Sequence, residues 1–285
     1  MAQEKMWQRF CAVPWGEVCL VSLYLSVLSG IVVALQYDFG TPFYSSSSMD
    51  LLLPFGSFWR SLHFYTSQFF FITLLVHFAA ILADGRVARL ALGKWLLLVG
   101  SLPVALLLLF TGYVLRGDAT GHSAGLIAEN ILLAIPGLGE ALNRLLFSIA
   151  DDGLKRVYAN HLVGLGILWG GLSWDHVRKY RAHVSRHGLL IVASLLMAFI
   201  FFAPLEPEQL GVFHTPGPWF FLGLQEILRY IQPFWAGVVF PLLFIFALAG
   251  LHPVMSPRSR RFCQAAASLW LLLYLILTLL ALARS

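Results

Sequence analysis

Seven apolar runs, each close to the length that crosses a bilayer, alternate with shorter polar stretches along the chain. They cover residues 16–36, 57–83, 93–115, 157–177, 187–204, 234–251 and 264–283. This pattern predicts an all-α, polytopic membrane bundle with seven transmembrane helices. The first run starts late, is long and lacks a small-residue cleavage motif, so it is expected to be a true span rather than a signal peptide. Residues 116–156 differ from the rest. LIAENILLAI and LNRLLFSI have helical apolar spacing, and Pro136-Gly137 separates them. Two short amphipathic helices lying on the membrane face are expected there. The stretch 205–218, set among Pro204, Pro207, Pro216 and Pro218, is expected to be a loop, as is Ser45–Ser48.

Composition supports the membrane reading: 59% of the 285 residues are hydrophobic and 12% are charged. Trp and Tyr gather near the ends of the runs, as interfacial belts require. The basic residues sit in short loops, which argues against nucleic-acid binding and gives an orientation instead. With the N-terminus cytoplasmic, the inner side carries 12 cations, from Lys5 and Arg9 through Arg86, Arg89 and Lys94 to Arg258, Arg260 and Arg261; the outer side carries seven. The positive-inside rule therefore places the N-terminus in the cytoplasm. The acidic residues Asp38, Asp50, Asp118, Glu129, Glu140, Asp151, Asp152, Glu206 and Glu208 then fall outside. Three cysteines, Cys11, Cys19 and Cys263, form neither a disulfide framework nor a zinc motif.

Four histidines carry the chemistry. His63 and His77 are 14 positions apart in the second run, and His161 and His176 are 15 apart in the fourth. Either spacing returns to roughly the same helix face about 21–22 Å further along. Both runs lead inward, so His63 pairs with His161 near the outer face and His77 with His176 near the inner face. A polar side chain at membrane depth marks function by default. The pairs are too far apart to share a metal, and apart from Asp175, which adjoins His176, no cysteine or carboxylate lies near them in sequence. Zinc is thus a poor occupant, and two stacked bis-histidine haems, a path for electrons, are the better one. His122, His183, His187, His214 and His252 fall in loops or at run ends, where interfacial histidine is the ordinary reading. His183 and His187 would flank the inner pair.

Gly30 and Gly112 interrupt otherwise bulky runs, as close approach of backbone to a macrocycle requires, although small residues also serve plain helix packing. Arg60 and Arg156 precede the outer histidines at the membrane boundary. Each is a candidate partner for a haem propionate, with snorkelling to water as the alternative.

These residues resemble the cytochrome b subunit of the cytochrome bc complexes. LSGIVVALQY is similar to the family's Gln-x-x-Thr-Gly run, with Ser26 where the family has Gln. Arg60-Ser-Leu-His63, continuing through Phe69-Phe70 to His77, follows its Arg-x-x-His…Phe-Phe…His pattern. Phe110-Thr-Gly112-Tyr113-Val-Leu115 matches Phe-x-Gly-Tyr-x-Leu, LLAIPGLG resembles Ala-Ile-Pro-x-x-Gly, and Lys155-Arg156 with His161 matches Thr-Arg…His. The 15-residue interval and the seven runs look more like the plastid-type short form fused to its small partner subunit. The resemblance implies a four-helix dihaem core over residues 1–180 and a three-helix quinone-site region over 181–285. It also implies two haems b, quinol as substrate, and a Rieske iron–sulfur protein or c-type cytochromes as partners. The expected setting is a dimeric complex in a prokaryotic-type inner, energy-transducing membrane. A further haem attached to Cys11 or Cys19 is the less favoured possibility, because neither lies at the family's distance from Gly30.

The chain departs from the family at the outer quinol pocket, which in the family is framed by the end of the third span, the amphipathic pair and the loop before the sixth. The family's Pro-Glu-Trp-Tyr becomes Gly217-Pro218-Trp219-Phe220, which puts Pro218 where the catalytic Glu stands. Glu226, Asp118 and His214 are the candidates for the missing base, with Glu226 the first choice. The resulting expectation is a subunit of a quinol:cytochrome c-type oxidoreductase. The alternative is a dihaem membrane anchor that exchanges electrons between the quinone pool and a peripheral multihaem or molybdenum module. A transporter or structural membrane protein with incidental histidines is the third possibility.

Overall fold

A computed structural model describes residues 10–149, 153–207 and 215–284, and within them the chain is helical with no strand. The seven apolar runs appear as helices in the expected order. They are α1 (Trp15–Ala34), α3 (Gly56–Ala83), α4 (Leu92–Val114), α7 (153–177), α8 (Gly188–Ile200), α10 (Trp235–Ala249) and α11 (Pro257–Leu282). By length and composition α1, α3, α4 and α11 are long and apolar enough to cross a membrane, while α8 and α10 are shorter apolar helices. Helix α7 runs as Gly153–Ala159, a π-helical turn Asn160–Gly164, and Leu165–Val177.

The amphipathic pair also forms, as α5 (Ala119–Leu133) and α6 (Gly139–Leu146) on either side of Pro136-Gly137. Asp118 caps α5 by accepting from Gly121 N at 2.9 Å. Ser45–Ser48 is not a loop. It lies within α2 (Pro42–Leu52), which starts on Pro42 and buries Ser45 and Ser46. The hydroxyls that weaken a helix prediction are satisfied here: Ser47 Oγ donates to Phe43 O at 2.7 Å and Ser46 Oγ to Arg116 O at 3.1 Å. A short helix α9 (Leu222–Ile227) follows the proline-rich stretch, whose described parts, 202–207 and 215–218, have no regular structure.

Helix α1 packs along α3, and α4 along α7, which makes a four-helix unit; α8 lies on α3, and α9 and α10 lie on α11. Buried Trp95, Val99 and Leu102 of α4 join Ala247, Leu248 and Leu251 at the far end of α10 in one core. Trp95 Nε1 donates to Ala249 O at 3.1 Å across that junction. Many large apolar side chains remain exposed on α8, α10 and α11, including Leu189, Phe199, Phe246 and Leu269, as lipid-facing helices require.

Candidate functional site: two histidine pairs in the four-helix unit

The four histidines meet as two pairs, each across α3 and α7. The His63 and His161 ring centroids are 6.1 Å apart, and those of His77 and His176 are 6.0 Å apart. The unequal spacings, 14 and 15 residues, reach the same levels because α7 contains the π turn Asn160–Gly164, which holds His161. A π turn takes one more residue per hydrogen-bonded loop than an α turn, so it absorbs the extra position.

Second partners orient the rings. His63 Nδ1 lies 2.9 Å from Ser26 O, an acceptor, so Nδ1 carries the proton and Nε2 keeps its lone pair. His161 Nδ1 lies 3.0 Å from Thr111 Oγ1, whose own proton goes to Leu107 O at 2.8 Å. The same tautomer follows. His77 Nε2 is buried with no hydrogen-bond partner among the described residues. Such an atom costs ~1–3 kcal/mol unless something binds it.

Three glycines back these rings. A Cβ on Gly30 would lie 2.8 Å from His63 Cε1, one on Gly112 2.9 Å from His161 Cε1, and one on Gly16 3.1 Å from His77 Cε1. The sequence pattern marks the first two. Gly16 does not stand out in it, although it precedes Gly30 by the same 14 positions that separate His63 from His77. Between the two levels, Phe70 of α3 stacks edge-on against Trp169 of α7 at 5.5 Å, within a cluster that includes Cys19, Phe71 and Ala105. Trp169 Nε1 is another buried atom without a partner among the described residues.

The separations fit one metal ion per pair. A first-row metal binds an imidazole nitrogen at about 2.0–2.1 Å, and the ring centroid lies about 1.1 Å behind it, so two rings that shared one ion from opposite sides would stand about 6.3 Å apart. No third His, Cys, Asp or Glu completes a metal-binding group among the described residues. An ion held between either pair would take two protein ligands, and its other positions would fall to groups that the described residues do not supply.

The other predicted residues fall as follows. Arg60 is buried; its Nε donates to Asp50 Oδ1 at 2.7 Å, its Nη2 pairs with Asp50 Oδ2 and donates to Ala203 O at 2.6 Å, and its Nη1 reaches Pro204 O at 3.4 Å. It ties the chain after α8 to α3, with Ala203 N donating to Ser61 Oγ. Arg156 is exposed and donates to Arg144 O at 2.9 Å. Asp118 is fully buried, pairs with Arg116 and accepts from Glu206 N at 3.0 Å. Glu226 is 2% exposed; its Oε1 accepts from Tyr230 Oη at 2.9 Å and from Arg284 Nη1, while Oε2 faces Arg229 Nε at 3.4 Å. His187 Nε2 lies 3.2 Å from Glu17 Oε2, and His252 Nε2 donates to Leu90 O at 2.9 Å. Asp84, hydrogen-bonded to Cys11, pushes that thiol above its usual range, and Cys19 lies in the apolar cluster, so neither is a reactive thiolate. His214 lies outside the described residues, as do Lys5, Arg9, Asp151, Asp152 and Glu208.

Residues 5–177 match the family model for cytochrome b/b6/petB. The chain belongs to the cytochrome b family. Membership makes it a haem-binding membrane protein of electron transport. It is 32% identical over 170 residues to a cytochrome b of Micropechis ikaheca, an alignment that covers 57% of this chain and 45% of that protein. The aligned region thus spans less than half the length of that relative. In structure the chain resembles a hyperthermophilic respiratory Complex III chain, with a TM-score of 0.65 at 19% identity over 94% of this chain and 88% of that one. That likeness extends the shared cytochrome b fold through α8–α11, beyond the residues that the family model matches.

Proposed function

We propose that this cytochrome b holds two haems b, one between His63 and His161 and one between His77 and His176, and carries electrons across the membrane as a subunit of a quinol-oxidising bc-type complex. The observation that carries the reading is the equal separation of the two pairs, 6.1 and 6.0 Å, at opposite ends of the four-helix unit. Haem b, once bound, accepts and releases one electron at a time. Ser26 O and Thr111 Oγ1 hold the outer imidazoles with Nε2 available for iron, and Gly16, Gly30 and Gly112 leave room beside the rings. Arg60 and Arg156 stand at the outer end as propionate partners, Arg60 through the one Nη1 proton left after its bonds to Asp50, Ala203 and Pro204. The division follows the same logic, with residues 1–180 as the haem core and 181–285 as the quinone-site region.

The quinol pocket on this reading lies where the end of α4, the α5–α6 pair and the segment before α9 converge. Phe110 sits 5.1 Å from Phe221 and 5.6 Å from Phe147, and Tyr113 sits 6.4 Å from Phe220. Glu226 is the carboxylate assigned to receive the quinol proton, at Oε2. The partners are a Rieske protein or c-type cytochromes, and the N-terminus is cytoplasmic in a prokaryotic-type energy-transducing membrane.

A second reading rests on the occupied carboxylates at this end. Pro218 replaces the family's base, Asp118 is paired with Arg116, and Glu226 is held by Arg284 and Tyr230. Those engagements favour a dihaem anchor that passes electrons between the quinone pool and a peripheral multihaem or molybdenum module. A pyridine haemochrome count of two haems b per chain tests the shared core. A co-purifying Rieske signal in electron paramagnetic resonance supports the first reading, and a peripheral redox module in its place supports the second.

A further inference from the structure

Arg116 follows the Phe110-Thr-Gly112-Tyr113-Val-Leu115 run just past α4 and is buried. Its backbone is tightly held. Tyr37 Oη donates to Leu115 O at 2.6 Å, and Ser46 Oγ donates to Arg116 O. Gly117 then turns the chain at φ +67°, where a Cβ would lie 2.5 Å from Pro42 Cβ. The guanidinium is far less committed. Its Nη2 pairs with Asp118 Oδ2, the one hydrogen bond the side chain makes among the described residues. Its Nε is buried with no partner there. A guanidinium carries five N–H donors, and burying them unmet is costly. Asp118 does not absorb the whole charge, because its oxygens also accept from Thr120 Oγ1 at 3.0 Å, Gly121 N at 2.9 Å and Glu206 N at 3.0 Å. It anchors the cation and leaves donors over.

What surrounds Arg116 identifies the ligand. Its Cζ stands 4.7 Å from the Tyr113 ring centroid. Tyr113 and Leu115 belong to the apolar cluster that holds Phe110, Phe147, Phe220 and Phe221, the rings among which the quinol pocket is placed. A cation with free donors at the edge of aromatic side chains suits a planar, apolar ring that bears oxygens. We propose that Arg116 binds a headgroup oxygen of the quinol in this pocket and favours that oxygen in its ionised form. The assignment rests on the quinol-pocket reading above. When a quinol hydroxyl gives its proton to the base, for which Glu226 is proposed, the O–H bond breaks and its electron pair stays on the oxygen. A fixed guanidinium stabilises that negative oxygen, more so away from bulk water.

Two probes separate charge from shape: 2-hydroxy-1,4-naphthoquinone, which is an anion at neutral pH, and its neutral 2-methoxy ether. Affinities measured by calorimetry on the purified protein with its haems bound should favour the anion. Arg116→Gln should weaken binding of the anion about tenfold or more, the scale of a hydrogen bond to a charged group, and leave the ether little changed. Arg116→Lys, which keeps the charge beside Asp118, should retain most of the preference, and it carries the test if removing the charge disturbs the Asp118 corner. Arg144→Gln removes an exposed cation of α6 and should leave both affinities in place. Equal affinities for the two probes in the unaltered protein, an equal loss of both in Arg116→Gln with haem content retained, or a like loss of the anion in Arg144→Gln would each overturn the proposal. So would a shifted haem potential in Arg116→Gln with both affinities intact, which would give the cation to the haem. An unaltered protein that binds neither probe would refute the quinol pocket itself, and the assignment with it.

Discussion

Gly16 faces the edge of the His77 ring, with its missing Cβ position 3.1 Å from His77 Cε1, as Gly30 faces His63 at 2.8 Å. The two glycines lie on α1, and the two histidines lie on α3 at the same register. Gly30→Val should displace the outer ring and lower haem content toward one per chain. Gly16→Val should do the same for the inner haem. At Gly16, Ala is the milder change, because the histidine need yield by only a few tenths of an ångström; at Gly30 even Ala forces a larger shift. Overpacking of this kind costs ~1–3 kcal/mol. Haem content and resolved potentials of the four variants check the ordering.

The pairing across helices makes a sharper prediction. His63→Ala and His161→Ala act on the same level, so each should remove the outer haem and leave the inner one at least partly bound. His77→Ala and His176→Ala should remove the inner haem. Difference spectra after stepwise reduction separate the two, and two full haems in His161→Ala would sink the pairing.

That pairing is legible in the sequence, because a 3.6-residue period and the length of a bilayer are enough to place four histidines at two depths. The π turn at Asn160–Gly164 is not legible, since it changes no residue type and shows only as one extra position between His161 and His176. Gly16 gives no signal because it opens its helix, where glycine has ordinary reasons to stand. The α2 helix is hidden because four consecutive serines read as loop, and the bond from Ser46 to Arg116 O reaches a segment 70 residues away. The engagement of Glu226 depends likewise on Arg284, 58 residues further on, and no local pattern announces it.

Thr111 supplies the acceptor that fixes the tautomer of His161 at 3.0 Å. An acceptor on Nδ1–H makes the imidazole a stronger donor to iron and favours the oxidised haem. Thr111→Val keeps the shape and removes the acceptor, so the outer haem's midpoint should rise while the inner one stays in place. Thr111→Ser, which retains the hydroxyl, should restore it. Redox titration of the two variants side by side provides the check, and an outer potential identical in all three proteins would show that the contact does not tune the haem.

Glu226 divides the two proposed functions. Its carboxylate is buried, and Oε1 is held by Tyr230 and Arg284, which leaves Oε2 as the oxygen that faces Arg229 at 3.4 Å. If Oε2 receives the quinol proton, Glu226→Gln removes the base while keeping the size of the side chain and an acceptor for Tyr230. Quinol oxidation should then fall on the order of 100-fold, the scale of a lost general base, with haem content and both potentials little changed. Arg284→Gln is the companion measurement. It removes the cation from Oε1 without touching Oε2, so quinol oxidation should fall far less than in Glu226→Gln. Full turnover across pH in Glu226→Gln would take Glu226 out of the reaction and leave it as the anchor that ties α9 to the end of α11, which is what the peripheral-module reading requires.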